Sequence, residues 1–165
     1  MPEPNWLFDT VVLSNFLLTG AEATLEARYR GRGLITGEVC GELLSGSASH
    51  PDRRGIEGLI SRRVIKHVGM TARERRHFLE LVVFLGKGEA SCIACAKERH
   101  AIVATDDRVA RNQCHLDQIP FTGTIGILKA SVSAGQLPLH QADAVLDKMI
   151  AAGFYSPVRS LSGIM

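Results

Sequence analysis

The chain opens on a short apolar run, Trp6-Leu7-Phe8, which stops at Asp9-Thr10 and gives way to an apolar-rich segment over residues 11–18 closed by Thr19-Gly20. That order predicts a strand, an acidic strand end and a helix. A polar helix is expected over 21–29. Gly33-Leu34-Ile35 then leads into Thr36, an N-cap for a short helix to Leu44 that Ser45-Gly46-Ser47 ends. Gly, Ser, Pro51 and Asp52 make 45–55 the expected loop. Thr71 with Glu74 three residues on forms a capping box, and Phe78, Leu81, Val82 and Leu85 recur behind it at helical spacing, predicting a helix over 72–85. Gly86-Lys87-Gly88 breaks it, and 89–99 reads as the next helix. Ala101-Ile102-Val103-Ala104 is an apolar run of strand length that ends in Thr105-Asp106-Asp107, a second acidic strand end. Beyond it the pattern predicts a short helix over 108–113, a weak strand over 119–121, a helix over 124–134 stopped by Gly135, and an amphipathic helix over 138–152 stopped by Gly153. The core face of that last helix is Ala142, Val145, Leu146, Met149 and Ile150. Strands alternating with helices argue for a parallel sheet covered on both faces. The expectation is one domain over 1–165, with the helical segment from about 138 packed on it.

Composition narrows the function classes without choosing among them. The 165 residues are 45% hydrophobic and 22% charged, enough for one substantial core. A formal charge of +2 is too small to mark a nucleic-acid-coating protein by total charge. The longest apolar stretches, over 11–18 and 79–85, fall far below the roughly 20 residues of a membrane span. The N-terminus lacks the charged-then-apolar pattern of a signal peptide, so a cytoplasmic protein without membrane contact is expected. There Cys40, Cys92, Cys95 and Cys114 would stay reduced.

Chemistry in an open parallel sheet collects at the carboxyl ends of the strands, where Asp9 and the Asp106-Asp107 pair fall. At about 100° per residue, Glu42 sits about 60° from Val39 on the edge of the apolar face of its helix, whereas Glu38 is placed to point to water. By the same measure Glu89 shares a face with Ile93 and Ala96. An acid on an apolar face wants an explanation. One is that Asp9, Glu42, Glu89 and the Asp106-Asp107 pair converge on divalent cations, since hard oxygen ligands suit Mg²⁺ or Mn²⁺ and crowded carboxylates repel without one. Such a site suits phosphodiester hydrolysis by a metal-activated water. The other is that each acid serves locally: Asp9 as a helix cap, Glu89 at a helix N-terminus, Asp106-Asp107 in a turn.

Four motifs occur in order: Phe8-Asp9-Thr10-Val11-Val12-Leu13-Ser14-Asn15; Ile35-Thr36 with Val39, Glu42 and Leu43; Gly88-Glu89-Ala90 with Ile93, Ala94 and Ala96; and Ala104-Thr105-Asp106-Asp107-Arg108 with Ala110 and Arg111. On these the chain resembles a PIN-domain protein. Gly123-Thr124-Ile125-Gly126-Ile127-Leu128-Lys129, followed by Ala134-Gly135-Gln136-Leu137, is similar to the C-terminal part of a subgroup related to the VapC ribonuclease toxins. The likeness spans roughly residues 6–140. It implies a three-layer α/β/α sandwich with a central, mainly parallel sheet, and Mg²⁺- or Mn²⁺-dependent endonucleolytic cleavage of RNA. It also implies a cognate antitoxin and a homodimer as partners. Asp9 matches the first family acid, Glu42 the second and Glu89 the third. The fourth follows Thr-x, which selects Asp107, with Asp106 an adjacent candidate. Asp9, Glu42, Glu89 and Asp107 are thus the expected catalytic acids, and Asp9, Glu89, Asp107 and Asp106 the expected metal ligands. Thr10, Thr105, Arg108 and Arg111 flank them as expected substrate contacts. Val11 departs from the Ser or Thr that many members carry, and the third acid is Glu where the wider family more often has Asp.

Other signals compete. Over residues 50–77 stand eight basic residues (Arg53, Arg54, Arg62, Arg63, Lys66, Arg73, Arg75, Arg76) against Asp52, Glu57 and Glu74, a local +5 that leaves −3 for the remainder. That asymmetry suits a phosphate-backbone track or, equally, a solvated helical face, since aromatics for base stacking are nearly absent from this stretch. Cys92-Ile93-Ala94-Cys95, with His100 and Cys114-His115, offers a zinc or redox module, although a pair inside a helix among Ala and Ile reads more readily as small core side chains. A catalytically weak binding protein of the same fold is a further reading. A haloacid-dehalogenase-like phosphatase would want a second Asp where Val11 stands.

Overall fold

The computed structural model describes residues 2–45 and 51–165, with side chains from residue 54 onward in the second stretch. Five strands, β1 (Trp6–Phe8), β2 (Gly33–Thr36), β3 (Ile65–Val68), β4 (Ile102–Ala104) and β5 (Phe121–Thr122), form one sheet in the order β3-β2-β1-β4-β5. Every pairing is parallel: Leu7 stands opposite Leu34 on one side and Val103 on the other, Ile35 opposite His67, and Ala104 opposite Thr122. Parallel strands need crossovers, which α1 (Thr10–Leu18), α2 (Glu22–Tyr29), α3 (Gly37–Leu44), α4 (Pro51–Ser61), α5 (Ala72–Leu81), α6 (Lys87–Arg99) and α7 (Arg108–Leu116) supply, while α8 (Thr124–Ser133) and α9 (Leu139–Ala151) follow β5. The result is an α/β/α sandwich. Among the described residues no helix is long and apolar enough to cross a membrane.

The central strands are buried on both faces. Leu7, Phe8, Ile35, Val103 and Ala104 are all at or near zero exposure, and α6, packed on β1, β2 and β4, is buried from Ala90 through Ala96. A helix enclosed on several sides needs small side chains, which Ala90, Ser91, Cys92, Ala94, Cys95 and Ala96 provide. The cysteines are core residues. Burial pushes the Cys95 and Cys114 thiols up to about 12, and the Cys92 thiol also rises, donating toward the Phe8 carbonyl at 3.6 Å. None of the four is bonded to another. The feature that suggested a zinc or redox module is packing.

Several local expectations need correction. Within the expected loop over 45–55, Pro51 begins α4, its fixed φ and missing N–H suiting a first helical turn. Residues 46–50 of that stretch lie outside the described residues. Strand β3 is missing from the sequence reading because Ile65-Lys66-His67-Val68 is short and carries polar residues, the pattern of an edge strand whose Lys discourages further pairing. The helix expected over 72–85 keeps its capping box but ends at Leu81, and Phe84 N–H turns back to the Leu81 carbonyl. On α9, Ala142, Leu146 and Met149 are buried as the periodicity predicts, with Val145 and Ile150 half-buried beside them.

Candidate active site

Neighbouring crossovers leave β1 toward β2 and β4 toward β5, so the carboxyl ends of β1 and β4 flank the point where the strand order reverses, the place where open α/β sheets leave a crevice. Asp9 stands at one end and Thr105-Asp106-Asp107 at the other. The crevice is a cleft of about 430 Å³ lined by Asp9, Val11, Asn15, Glu89, Asp106 and Asp107, with residues 152–155 as its far wall.

Asp9 is the innermost acid, 1% exposed. As the N-cap of α1 it accepts from the Thr10 N–H at 2.6 Å, and its second oxygen accepts from the Thr105 hydroxyl at 2.9 Å. Burial, reinforced by the Glu89 and Glu42 charges and only partly opposed by those two hydrogen bonds, pushes its carboxyl up to about 7. Glu89, in the first turn of α6, is half-buried. Its carboxyl is raised by burial and by the Glu42 and Asp107 charges, against its own backbone N–H. Among the described residues no Lys, Arg or His forms an ion pair with Asp9, Glu42, Glu89 or Asp107.

Glu42 enters by a different route from the one its helical phase suggested. It is exposed, and Glu38 is the half-buried acid of α3. What places Glu42 is a pair of hydrogen bonds: one oxygen accepts from the Thr10 hydroxyl at 2.6 Å, the other from the Gly88 N–H at 3.0 Å. A Cβ at Gly88 would meet both Glu42 oxygens at 2.9–3.0 Å, so any larger residue there would push this carboxylate from its place. Behind it, the Thr36 and Ser91 hydroxyls are 2.7 Å apart at zero exposure, tying the start of α3 to α6.

The paired aspartates divide their work. Asp107 caps α7, one oxygen accepting from the Ala110 N–H at 2.8 Å, while the residue itself is exposed at the cleft. Of the pair, Asp107 is the one that caps the helix. Asp106 instead accepts from the Thr124 N–H at 2.9 Å and the Thr124 hydroxyl at 2.6 Å and lies 3.6 Å from an Arg111 nitrogen. A Cβ at Gly123 would overlap Arg111 and Asp106, so this knot exists only because Gly123 lacks a side chain.

Two expected substrate contacts are engaged by the acids instead. Thr105 has zero exposure and bridges the acids, donating to Asp9 and accepting from the Asp107 N–H at 3.2 Å, so it orients them and does not reach a ligand. Thr10 donates to Glu42. Arg111 donates from Nε to the Thr105 carbonyl at 2.9 Å and keeps one half-exposed edge, and Arg108 is exposed on the first turn of α7. The basic stretch over 50–77 is partly neutralised, with Arg62 pairing with Glu26 at 3.2 Å and Arg73 with Glu98 at 3.7 Å. The sequence reading missed Phe154 and Tyr155 altogether, and gave no role to Asn15, whose side-chain amide donates to the Thr124 hydroxyl at 3.0 Å. Phe154 and Tyr155 reach the cleft from beyond α9, remote in sequence from the acids, whereas Asn15 stands in the Asp9 motif itself.

Among the described residues no group of three or more His, Cys, Asp or Glu side chains is arranged to hold a metal ion. The donor chemistry nevertheless fits a hard divalent cation: carboxylates alone, two of them with raised proton affinity and, among the described residues, only Asp106 of them paired with a basic residue, Arg111. An α/β/α sandwich with acids gathered at its topological switch point is the class that fold and site define. The chain belongs to the PIN domain family: the profile described as DUF3368, PIN domain, matches residues 5–165. A chain in the crystal structure of VapBC2 from Rickettsia felis bound to a DNA fragment from their promoter has the same fold at a TM-score of 0.55 and 14% identity, over 72% of this chain and 97% of that one. Among curated proteins nothing matches it.

Proposed function

We propose that this protein is a Mg²⁺- or Mn²⁺-dependent endoribonuclease acting in the cytoplasm. The observation that carries the reading is Asp9: a buried carboxylate facing Glu89 and Glu42 with no basic partner among the described residues, at the carboxyl end of a central strand. Asp9, Glu89 and Asp107, with Asp106 beside them, would hold the ion. When bound, it supplies a nucleophilic water of lowered pKa and offsets charge on the phosphate oxygens. Thr105 aims Asp9 and fixes the Asp107 backbone. Glu42, held by Thr10 and Gly88, sets the spacing between the first turns of α1 and α6 and adds negative charge to the cleft. Arg108, next to Asp107, is placed to meet a substrate phosphate.

The biological setting we propose is the toxin half of a toxin–antitoxin pair, with a cognate antitoxin as partner and a homodimer as the assembled form. Family membership and the fold likeness to the VapBC2 chain support it. The deciding experiment is cleavage of single-stranded RNA by purified protein with Mg²⁺ or Mn²⁺, with chelator, and with Asp9→Asn. Chelator-sensitive cleavage lost in Asp9→Asn is expected. Cleavage indifferent to both, or supported by zinc alone, overturns the reading.

A further inference from the structure

Beside the acid cleft lies a second recess of about 510 Å³, within the range of small-ligand sites, walled by Arg111, Phe121, Ile125, Phe154, Tyr155 and Pro157. The two hollows share Asp106, Phe154 and Tyr155, so whatever fills the recess lies directly against the acids. Tyr155 is 94% exposed and Phe121 38%, and burying an aromatic ring on folding accounts for neither. The segment bearing Tyr155 is nevertheless held. Gly153, at φ +110°, turns the chain out of α9, and the Phe154 N–H returns to the Met149 carbonyl at 2.9 Å. Farther along, Asp143 of α9 accepts from the Leu161 N–H at 2.7 Å and from the Ser160 and Ser162 hydroxyls, and Leu161 is fully buried. Tyr155 is thus an exposed ring on an anchored strap.

The rim matches a base better than an apolar side chain. The Arg111 guanidinium, pinned by the Thr105 carbonyl, lies 5.6 Å from the centre of the Phe121 ring, and the Asp106 carboxylate, already accepting from the Thr124 N–H and hydroxyl, keeps a second lone pair on each oxygen for a further donor. Planar rings, a guanidinium plane and a hydrogen-bonding edge are what an unstacked nucleobase requires.

We propose that this recess is a nucleobase site: a base of single-stranded RNA stacks on Tyr155 while the phosphate next to it enters the acid cleft. The proposal rests on the ribonuclease reading for its choice of ligand and extends it to how the strand is held. Because the Tyr155 side chain is almost wholly exposed, its substitution leaves the fold intact. The test is binding, not cleavage. A fluorescein-labelled oligoadenylate of about eight nucleotides, within the usual length of a single-strand site, is titrated by fluorescence anisotropy in chelator, with RNA integrity checked on a gel. Tyr155→Ala weakens binding by roughly 5- to 150-fold, the loss of one stacked base, and Tyr155→Phe restores it because the ring suffices. An abasic nucleotide at one particular position weakens wild-type binding to a similar degree and adds little in Tyr155→Ala, as expected for two halves of one contact. Tyr155→Ala that binds like wild type, abasic losses that simply add to it, or no binding by wild type overturns the base site. A wild type that binds with this pattern but cleaves nothing overturns the nuclease reading alone. Unchanged binding by a Tyr155→Ala protein that still cleaves overturns the base site alone, and leaves the recess to a protein partner.

Discussion

Two carboxylates of this protein are equally buried, Asp9 and Glu74, each 1% exposed, and their proton affinities move in opposite directions. Glu74 lies in the first turn of α5. Burial raises its carboxyl, but two hydrogen bonds from Arg99 at 2.9 and 3.0 Å and one from the Thr71 N–H at 3.1 Å outweigh that and hold it at about 2. Asp9 also accepts two hydrogen bonds, yet it faces Glu89 and Glu42 instead of a guanidinium and is held at about 7. At Asp9 two hydrogen bonds do not offset burial and two neighbouring carboxylates; at Glu74 the hydrogen bonds, led by those from the Arg99 guanidinium, do. The Glu74 carboxylate has its counter-charge within the fold, whereas Asp9 has no basic partner among the described residues.

The strongest challenge to that contrast is removal of each key group. Asp9→Asn should lower metal-dependent cleavage by about 10²–10³-fold, as loss of a group serving a developing charge implies, while raising the melting temperature in chelator at pH 8. A stabilised, inactive variant supports the contrast, and a destabilised one would show that Asp9 serves mainly as a cap. Arg99→Leu leaves Glu74 buried without its partner and should cost about 3 kcal/mol by denaturant titration, at the low end for a broken buried pair because Arg99 is half-exposed.

The pH dependence sharpens the same comparison, since the two acids act in separate windows. The Asp9 carboxyl rises from its ordinary 3.8 to about 7, so between those values only the folded chain holds its proton. Its contribution to stability is greatest below about pH 4 and declines as pH rises through 7. For Glu74, with its carboxyl near 2, the sign reverses: stability present above about 4.5 is lost as pH falls toward 2. In chelator the protein should lose about 2–3 kcal/mol between pH 5 and 8, and saturating Mn²⁺ should flatten that slope. A slope unchanged by Mn²⁺ would separate the cleft from metal binding.

Smaller effects probe the supports. Gly88→Ala crowds the Glu42 carboxylate and should reduce cleavage by about 10-fold, the scale of a disturbed outer contact to a metal site, with little change in melting temperature. Asp107→Asn should cost more cleavage than Asp106→Asn. Its stability should change by less than about 0.5 kcal/mol, because Asn caps a helix nearly as well as Asp. Asp106→Asn sets an amide against Thr124 and should be the less stable of the two.

Local pattern alone carried most of the strand and helix order. The Thr71–Glu74 capping box, the Thr36 cap and the spacing on α9 are decided within a few residues, and those helices begin within a residue of where the pattern put them. The acids at the ends of β1 and β4 were legible for the same reason: a strand's end is a local event, and a parallel sheet brings such ends together. Tertiary structure decided the rest. Glu42 is held near Asp9 and Glu89 by Thr10 and Gly88, contacts 32 and 46 residues away that no helical phase contains. Asp107 and not Asp106 caps α7 because Thr124, 18 residues on, claims Asp106. Tyr155 lies beyond every acidic motif and reaches the cleft only because Gly153 turns the chain and Asp143 pins the strap at Leu161. Periodicity reports which side of an element is apolar. What a polar side chain meets depends on elements far away in the sequence, and that meeting exists only once the sheet is assembled.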